Sequence, residues 1–328
     1  MLVFVTPKLD SSRIPYSYRA RATIPASHIN DSRVTDDINS IHPEYDVAVL
    51  GKKHTKEDVE YLISKEINYI VDIADDKFDQ FKHWRFTIPN ANAVTTTCHR
   101  LREVIQEETG SKSYVIPDPT ERPRGKPKFE IKTNMMAFYY GSDGNYSKIM
   151  WPEIKDVLNR VRRHTDVKIM TNVPKHPPKK NKLSKKHGGW WLLPSRRKQL
   201  EDAGMKQFEE LIPWNFEKQG KLVEQSDFVI LPVTDDRHSQ CKGNNRPIDA
   251  LQQGRIVLTN PGIPSYEDIQ DCLIMGHFYE SYQLMIDNPN MVISKIQNAQ
   301  KLIDQHYTPK AVAKKWEQIY ETVKRNDI

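Results

Sequence analysis

The chain has 328 residues, with 49 Lys or Arg against 43 Asp or Glu and a formal net charge of +6. This length is enough for two α/β domains with sizeable cores, and the hydrophobic fraction of 38% excludes a wholly disordered chain. The cysteines, Cys98, Cys241 and Cys272, lack metal-ligand spacing, which favours a reducing, cytoplasmic setting. Because no stretch has the length of a membrane span and the first residues lack a signal-peptide pattern, we expect a soluble protein.

The first part of the chain alternates strands with helices. Apolar strands are predicted in MLVFVT, YDVAVLGKK, INYIVDIADD and SYVIPDP. A helix between the second and third strands begins at a capping box formed by Thr55 and Asp58. This order predicts βαβ units and a parallel sheet. Since no G-x-G-x-x-G follows the first strand, we do not expect a dinucleotide site there.

Three acids, Asp72, Asp75 and Asp76, lie at or just past the end of INYIVDIADD. They belong either to a solvated loop or to the wall of an interdomain cleft. Carboxylates can hold Mg²⁺ through waters, but the solvated loop is the more common arrangement and we predict no metal site.

Prolines at 117, 119, 123 and 127 predict a stiff, extended linker. We therefore expect a first domain over 1–125, a second domain over 126–305 and a terminal helix over 306–328. The apolar stripe of that helix must be buried. The stripe consists of Val312, Trp316, Ile319, Tyr320 and Val323.

The second domain begins with the strand NMMAFYY and a turn that contains Gly141, Ser142 and Gly144. Glycines allow the backbone to approach a diphosphate closely. An ordinary glycine turn explains the same letters.

Residues 174–198 form a basic insertion, rich in Lys and Arg, with adjacent Trp190 and Trp191 and no acid. Lysines such as Lys185 and Lys186 release counterions from phosphates, and Trp can stack on a base, so the pattern is typical of polyanion binding. A disordered basic loop and contact with an anionic membrane surface are the alternatives.

The stretch 226–262 is the one around which the second domain is organised. It contains the buried strand DFVILPV, a polar loop, a helix and the strand RIVLTN. The helix is predicted to begin at Asn244 or Asn245 and to end before Gly254. Its beginning therefore lies at the carboxyl edge of a parallel sheet, where ligands bind in open α/β folds.

Charged residues surround that helix start. Lys242 and Arg246, next to free backbone N–H groups, predict an anion site. Asp249 lies in the first turn, where the helix dipole alone favours an acid. A helix-capping role is the alternative for Asp249, and a solvated surface role is the alternative for Lys242 and Arg246 taken singly.

The same stretch resembles a known family. Leu231-Pro232, the run from Asp249 to Gly254 and Asn260-Pro261-Gly262 are similar to the pattern "LP…, E-A-hydrophobic-x-x-G, N-x-G" of retaining GT-B glycosyltransferases of the family 4 or group 1 kind. The resemblance implies an α/β fold of two Rossmann-like domains whose parallel sheets face a cleft. It also implies that the last helix crosses back onto the first domain. The implied donor is a nucleoside diphosphate sugar such as a UDP-sugar, transferred with retention and without an obligatory metal or other cofactor.

The resemblance implies roles for particular residues. A carboxylate at the position of Asp249 holds the ribose, and Lys242 and Arg246 stabilise the departing diphosphate. The predicted donor-binding set is Asp249, Asn245, Gly243, Gly141, Ser142 and Ile212.

One position departs from the family pattern. The family has a second acid, which faces the sugar, eight positions before the first, and here that position is Cys241. Counting forward from Pro232 instead gives Asp236, which we predict as the third catalytic residue beside Lys242 and Arg246.

The N-terminal part resembles a GT-B subgroup. Tyr18-Arg19-Ala20-Arg21 followed by Ile24-Pro25-Ala26 is similar to its "Y-R-x-R-x-x-x-P-A" opening, and VDIADD is close to its "D-x-D-D" run. Read without the family, the two arginines are surface charges. The predicted acceptor-binding residues are Arg19, Arg21, Asp75, Asp76, Lys185, Lys186, Trp190 and Trp191.

These patterns predict a glycosyltransferase that acts on a hydroxyl acceptor. The basic insertion favours a polyanionic acceptor, with hydroxymethylated DNA bases first and a DNA-modifying enzyme of viral or phage type as the implied subgroup. The alternatives are an enzyme that acts on polysaccharide or lipid and a non-catalytic nucleic-acid-binding protein on a GT-B scaffold.

Overall fold

The computed structural model describes residues 1–8, 15–44, 46–141, 157, 161, 165–171 and 211–325. Its first sheet has six parallel strands in the order β2-β1-β3-β4-β5-β6. They are β1 Leu2–Val5, β2 Ser32–Thr35, β3 Val47–Leu50, β4 Tyr69–Ile73, β5 Ala93–Thr96 and β6 Tyr114–Val115. β3, β4 and β5 are buried throughout, as expected of strands that helices cover on both faces.

Local signals set the helices of this part. α1 (Lys56–Ser64) begins at the predicted capping box, with both of its hydrogen bonds formed. α2 (Trp84–Thr87) is a single turn, and α3 (His99–Thr109) ends at Gly110, whose φ of 73° favours glycine. Residues 16–26 form a helical segment with a π-helical turn at Arg19–Thr23.

The second sheet has the order β12-β11-β10-β7-β8-β9, and its strands are also parallel. They are β7 Met135–Gly141, β8 Thr165–Thr171, β9 Leu211–Pro213, β10 Phe228–Ile230, β11 Ile256–Thr259 and β12 Ile274–Met275. The helices of this part are α4 Phe216–Gln225, α5 Arg237–Gln240, α6 Asn245–Gln252, α7 Phe278–Asp287, α8 Pro289–His306 and α9 Pro309–Lys324. The predicted strand, loop, helix and strand of 226–262 are therefore β10, α5, α6 and β11.

The last helix packs on the first sheet. The apolar stripe of α9 shares a buried cluster with Leu2, Phe4 and Val49. The indole of Trp316 is fully buried and meets the ring of Phe4 edge-on, with 5.4 Å between ring centroids. Burial of a side chain of this size contributes roughly 1.5–3 kcal/mol, so α9 fastens the C-terminal end of the chain to the first sheet.

The proline-rich segment between β6 and β7 is not a free spacer. The N–H of Gly125 donates to Gln252 O at 2.8 Å, and the N–H of Thr120 donates to Tyr307 O at 2.8 Å. A Cβ added to Gly125 would lie 2.3 Å from Gln253 O, so the linker requires glycine where it passes α6. The linker thus lies against the second half of the chain, and the boundary at 125/126 stays a prediction.

None of the described helices combines the length and the apolar character needed to cross a membrane.

Candidate functional site

The candidate site lies at the carboxyl edge of the second sheet, where β7 and β10 end and α6 begins. α6 starts at Asn245, and no described side chain caps it: the amide nitrogen of Asn244 donates to the hydroxyl of Tyr307 at 3.0 Å, and Asn244 Oδ1 has no hydrogen-bond partner among the described residues. The first N–H groups of α6 are therefore available to a ligand. A helix start of this kind attracts anions.

Two cations stand beside that helix start. Lys242 and Arg246 are half-buried, and neither forms an ion pair with a carboxylate of the described residues. The guanidinium of Arg246 donates to Tyr140 O at 3.3 Å. Burial and the charge of Arg246 both lower the pKa of Lys242. An anion bound between the two side chains would relieve this repulsion.

Gly141 lies close to one of these cations, Arg246. A Cβ added there would come within 3.2 Å of Arg246 Nη1 and 2.8 Å of the Tyr139 hydroxyl. The end of β7 thus places a residue without a side chain next to Arg246. The predicted close approach of the backbone to a diphosphate needs such a residue. The next predicted residue, Ser142, lies outside the described residues, as do Lys185, Lys186, Trp190 and Trp191.

Asp249 is buried, and its Oδ1 accepts hydrogen bonds from the linker. Thr120 Oγ1 donates at 2.8 Å and the N–H of Glu121 at 3.3 Å. Burial raises its pKa to about 7. No described residue donates to Oδ2. The sequence predicts an extended linker here and gives no signal that Thr120 and Glu121 bond to Asp249.

Cys241 and Asp236 do not face a common sugar site. Cys241 is fully buried in the core of the first sheet, where Cys98 Sγ donates to Cys241 O at 3.5 Å. Burial raises the pKa of the Cys241 thiol to about 12. Asp236 is the N-cap of α5, accepting from Ser239 N at 3.0 Å and from the hydroxyl of Thr234. These hydrogen bonds cap α5, which is a structural role. They do not support the predicted catalytic contact of Asp236 with the sugar.

The loop of residues 234–241, here called the docked loop, is held by the first half of the chain. Arg237 pairs with Asp76 at 2.8 Å and with Glu108 at 2.6 Å. The ring nitrogen Nδ1 of His238 lies 2.8 Å from Asp76 O. Gly243 follows this loop, and a Cβ there would lie 3.4 Å from Asp118 Oδ2. The docked loop therefore spans the boundary between the two sheets immediately before Lys242.

The predicted acceptor residues of the N-terminal part are engaged by protein groups. Every guanidinium nitrogen of Arg21 already donates to protein: Nε and Nη2 to Asp72, Nη1 to Ile116 O and Asp118. Burial opposes its charge, but Asp72 and Asp118 raise the pKa of Arg21 above its ordinary value. Arg21 is thus a buried cation whose donors are occupied by protein groups, and these bonds give no support to its predicted contact with an acceptor.

Arg19, Asp75 and Asp76 also have partners. Arg19 pairs with Glu121 at 2.8 Å, and its guanidinium lies 5.4 Å from the ring centroid of Phe216. Asp75 pairs with Lys52 at 2.6 Å, which lowers its pKa although burial acts in the opposite direction. Asp76 is the partner of Arg237, so its predicted contact with an acceptor is replaced by a contact within the chain.

Ile212 has a buried side chain on β9, so only its backbone remains for the predicted contact with a base. Two residues later, the exposed indole of Trp214 is held by a hydrogen bond from Nε1 to Gln219 Oε1 at 2.8 Å. Within the described residues, no group of three or more His, Cys, Asp or Glu could hold a metal ion.

No protein-family model matches this sequence, and a search of curated proteins finds no match. Solved structures do match it. The HepE protein of Anabaena in complex with UDP and glucose has a TM-score of 0.67 at 10% identity, over 98% of this chain and 99% of that one. A glycosyltransferase from Rickettsia africae ESF-5 has a TM-score of 0.64 at 10% identity, over 99% and 98% of the two chains.

TarM gives a TM-score of 0.59 at 12% identity, and the match covers 84% of this chain but only 54% of TarM. The chain thus spans about half the length of that protein. Likeness at such low identity establishes the fold. The chain has the GT-B fold, with two parallel sheets in an α/β arrangement, as the sequence predicted.

Proposed function

We propose that this protein transfers a sugar from a nucleoside diphosphate sugar, with UDP-sugars as the first candidates, to a hydroxyl acceptor. The observation that carries the proposal is the pair of cations, Lys242 and Arg246, beside the uncapped start of α6. They lack carboxylate partners among the described residues, and they lie where open α/β folds bind ligands. The complex of HepE with UDP and glucose supports this choice of donor.

In the proposed reaction the two cations and the N–H groups of α6 bind the diphosphate. As the bond between sugar and phosphate breaks, negative charge grows on the leaving diphosphate, and fixed positive charge stabilises it most at that moment. Asp249 Oδ2 accepts a hydrogen bond from the ribose. Retention of configuration is part of the proposal and rests on the sequence resemblance.

The identity of the acceptor is the more specific part of the proposal. Hydroxymethylated DNA is the first candidate, because the basic insertion 174–198 has the composition of a phosphate-binding segment. A polysaccharide or lipid acceptor is the alternative. The described residues favour neither, since the cations Arg19, Arg21 and Arg237 are paired with carboxylates.

The test begins with thermal stabilisation by a panel of nucleotides and nucleotide sugars, followed by the dissociation constant of UDP for Lys242→Ala. Hydrogen bonds to charged groups contribute about 1.5–3 kcal/mol, so the variant should bind UDP roughly ten- to a hundredfold more weakly. Lys221→Ala is the matched control, because Lys221 is exposed on α4. Equal UDP affinity in the two variants would contradict the assignment of Lys242.

Transfer is then measured with labelled donor and either hydroxymethylated duplex DNA or neutral polysaccharide. Label on the DNA alone supports the first acceptor candidate, and label on the polysaccharide alone supports the alternative. Stabilisation by no nucleotide at all would refute the transferase proposal and leave the non-catalytic binding protein.

A further inference from the structure

Arg122 lies in the linker between β6 and β7, and it is 7% exposed. Its Nη2 donates to Phe216 O at 2.8 Å, and its guanidinium carbon lies 3.6 Å from the ring centroid of Phe216. Within the described part of the chain, Nε has no hydrogen-bond acceptor and no carboxylate forms an ion pair with the side chain. Burying a charge without a counter-charge is costly. The positive charge of Arg122 therefore needs an explanation other than packing.

The surroundings fix where this guanidinium lies. A Cβ added to Gly220 of α4 would come within 2.7 Å of Arg122 Nη1, so a larger residue there would displace the guanidinium. The N–H of Arg122 donates to Thr120 Oγ1 at 3.2 Å, and the same hydroxyl donates to Asp249 Oδ1 at 2.8 Å. One hydroxyl group thus connects the backbone of Arg122 to the carboxyl group of Asp249.

The protonation of Asp249 depends on groups of the linker. Burial raises its pKa to about 7, the hydrogen bond from Thr120 and the charge of Arg122 lower the pKa, and the charge of Glu121 raises it. Glu121 is itself paired with Arg19 at 2.8 Å. Since a pKa of about 7 leaves the carboxyl group about half ionised at neutral pH, a change in a neighbouring charge should alter the ionised fraction.

The other titratable groups near Asp249 do not supply a positive charge in place of Arg122. The hydroxyls of Tyr16 and Tyr140 are neutral at pH 7, since burial and then nearby carboxylates, Asp249 among them, raise the pKa of both. Arg246 lies on the same helix as Asp249, but its guanidinium donates to Tyr140 O. Among the described residues, Arg122 is thus the cation that favours the ionised form of Asp249.

An ionised carboxyl group is the better acceptor for ribose hydroxyls. It accepts at both oxygens, whereas a protonated carboxyl group carries a donor on one of them. Hydrogen bonds to an ionised acceptor are also stronger. Ionisation of Asp249 should therefore strengthen the binding of a nucleotide sugar through its ribose.

We infer that Arg122 is a positioning residue of the proposed donor site, whose buried charge holds Asp249 in the carboxylate form that accepts the ribose hydroxyls. The inference rests on the proposed function and adds to it a residue that acts through Asp249 without contacting the donor. It also gives the linker a part in donor binding.

The first test measures the dissociation constant of UDP-glucose between about pH 5.5 and 8.5, where the charge of its diphosphate is constant. Wild-type affinity should rise with pH and level off above about 7, as Asp249 ionises. In Arg122→Gln the midpoint of this rise should move up by about one pH unit, because the nearby opposite charge is lost. The ionised fraction at pH 7 then falls from about one half to about one tenth, and the affinity falls about fivefold.

Two variants separate charge from packing. Arg122→Lys keeps the charge and should keep the wild-type midpoint, although it loses the planar contact with Phe216. Arg124→Gln is the matched control, because Arg124 belongs to the same linker but is exposed and pairs with Asp304. Its midpoint and affinity should equal those of the wild-type protein.

Glu121→Gln applies the opposite perturbation. It removes the negative charge that raises the pKa of Asp249, so the midpoint should move to lower pH. Affinity at pH 7 should rise, by at most about twofold, since at most the other half of the carboxyl groups becomes ionised. This variant tests the inference even if Arg122→Gln does not fold.

The second test removes the ribose hydroxyls instead of the charge. The probe is the analogue of UDP-glucose that lacks both ribose hydroxyls and so has no donor for Asp249. Wild-type protein and Arg122→Gln should bind this analogue with equal affinity at pH 7. An equal loss of affinity for UDP-glucose and for the analogue would show that the substitution acts elsewhere than at the ribose.

The outcomes separate the two proposals. If the wild-type protein does not bind UDP-glucose, the proposal of a UDP-sugar donor fails, and the role of Arg122 fails with it. If UDP-glucose binds, but Arg122→Gln and Arg122→Lys weaken binding by the same factor at every pH, or Glu121→Gln leaves the midpoint in place, only the role of Arg122 is overturned.

Discussion

Arg237 should control donor binding without contacting the donor. It lies in the docked loop, which precedes Lys242, and pairs across the boundary between the two sheets with Asp76 and Glu108 of the first half. Replacement by Ala removes both ion pairs. The docked loop then loses these two attachments, while the contact of His238 with Asp76 O and the burial of Cys241 remain. We therefore expect Lys242 to be held less firmly next to the start of α6.

The size of the expected loss of stability follows from how exposed the three paired side chains are. The Arg237 side chain is 43% exposed, and those of Asp76 and Glu108 are 11% and 19% exposed. Partly exposed ion pairs contribute about 0.2–1 kcal/mol each, so Arg237→Ala should destabilise the fold by roughly 0.4–2 kcal/mol. If about 1 kcal/mol of this loss appears in the donor site, UDP affinity falls about fivefold.

The assay is calorimetric titration with UDP and urea denaturation of the same variants. Arg237→Lys should recover only part of the effect, because an ammonium group lacks the fork that bridges two carboxylates. Arg102→Ala, which changes an exposed arginine on α3, is the control. A double-mutant cycle with Glu108→Gln should give a coupling of about 0.5 kcal/mol or more. Unchanged UDP affinity in Arg237→Ala would refute the positioning role.

Two further predictions concern buried positions. The folded pKa of Asp249 is about 7, above its ordinary value of 3.8, so its contribution to stability is present below pH 3.8 and is lost as the pH rises through about 7. Asp249→Asn should remove this decline. The free energy of unfolding, obtained from urea denaturation at several pH values, should then change differently in the two proteins, by at most about 1.4 kcal/mol per pH unit. The same pH dependence in both proteins would contradict the shifted pKa. Cys241→Glu, which restores an acid at the family position, should destabilise the fold by several kcal/mol and add no donor affinity, because it buries a charge. Cys241→Ser is its milder control, and tighter UDP binding by a stable Cys241→Glu would show that the side chain can reach the cleft.

The parallel sheets and α6 could be predicted from sequence because their signals are local. β10 and β11 are short apolar runs rich in β-branched residues, and α6 begins at Asn245, within the predicted pair of positions. The same local signals predict where the cations Lys242 and Arg246 lie, because Arg246 is part of α6.

The surroundings of the site could not be predicted, because they join distant parts of the chain. Asp249 is bonded to Thr120, which lies 129 residues earlier, and no periodicity reports such a pairing. The linker prolines indicate an extended segment but not that it packs against α6, where Gly125 has no room for a Cβ. Cys241 was read as a lost acid, whereas its apolar character fits the core in which it lies.

These distant contacts have a common consequence for the donor site. The diphosphate end of the site depends on Lys242, which follows a loop held by Asp76 and Glu108 of the first half. The ribose end depends on Asp249, whose linker partner Glu121 is paired with Arg19 of the first half. Both ends of one ligand are therefore tied to the first sheet by separate routes. A movement that parted the two sheets would disturb both ends together, so we expect the affinity for the proposed donor to depend on the arrangement of the two halves.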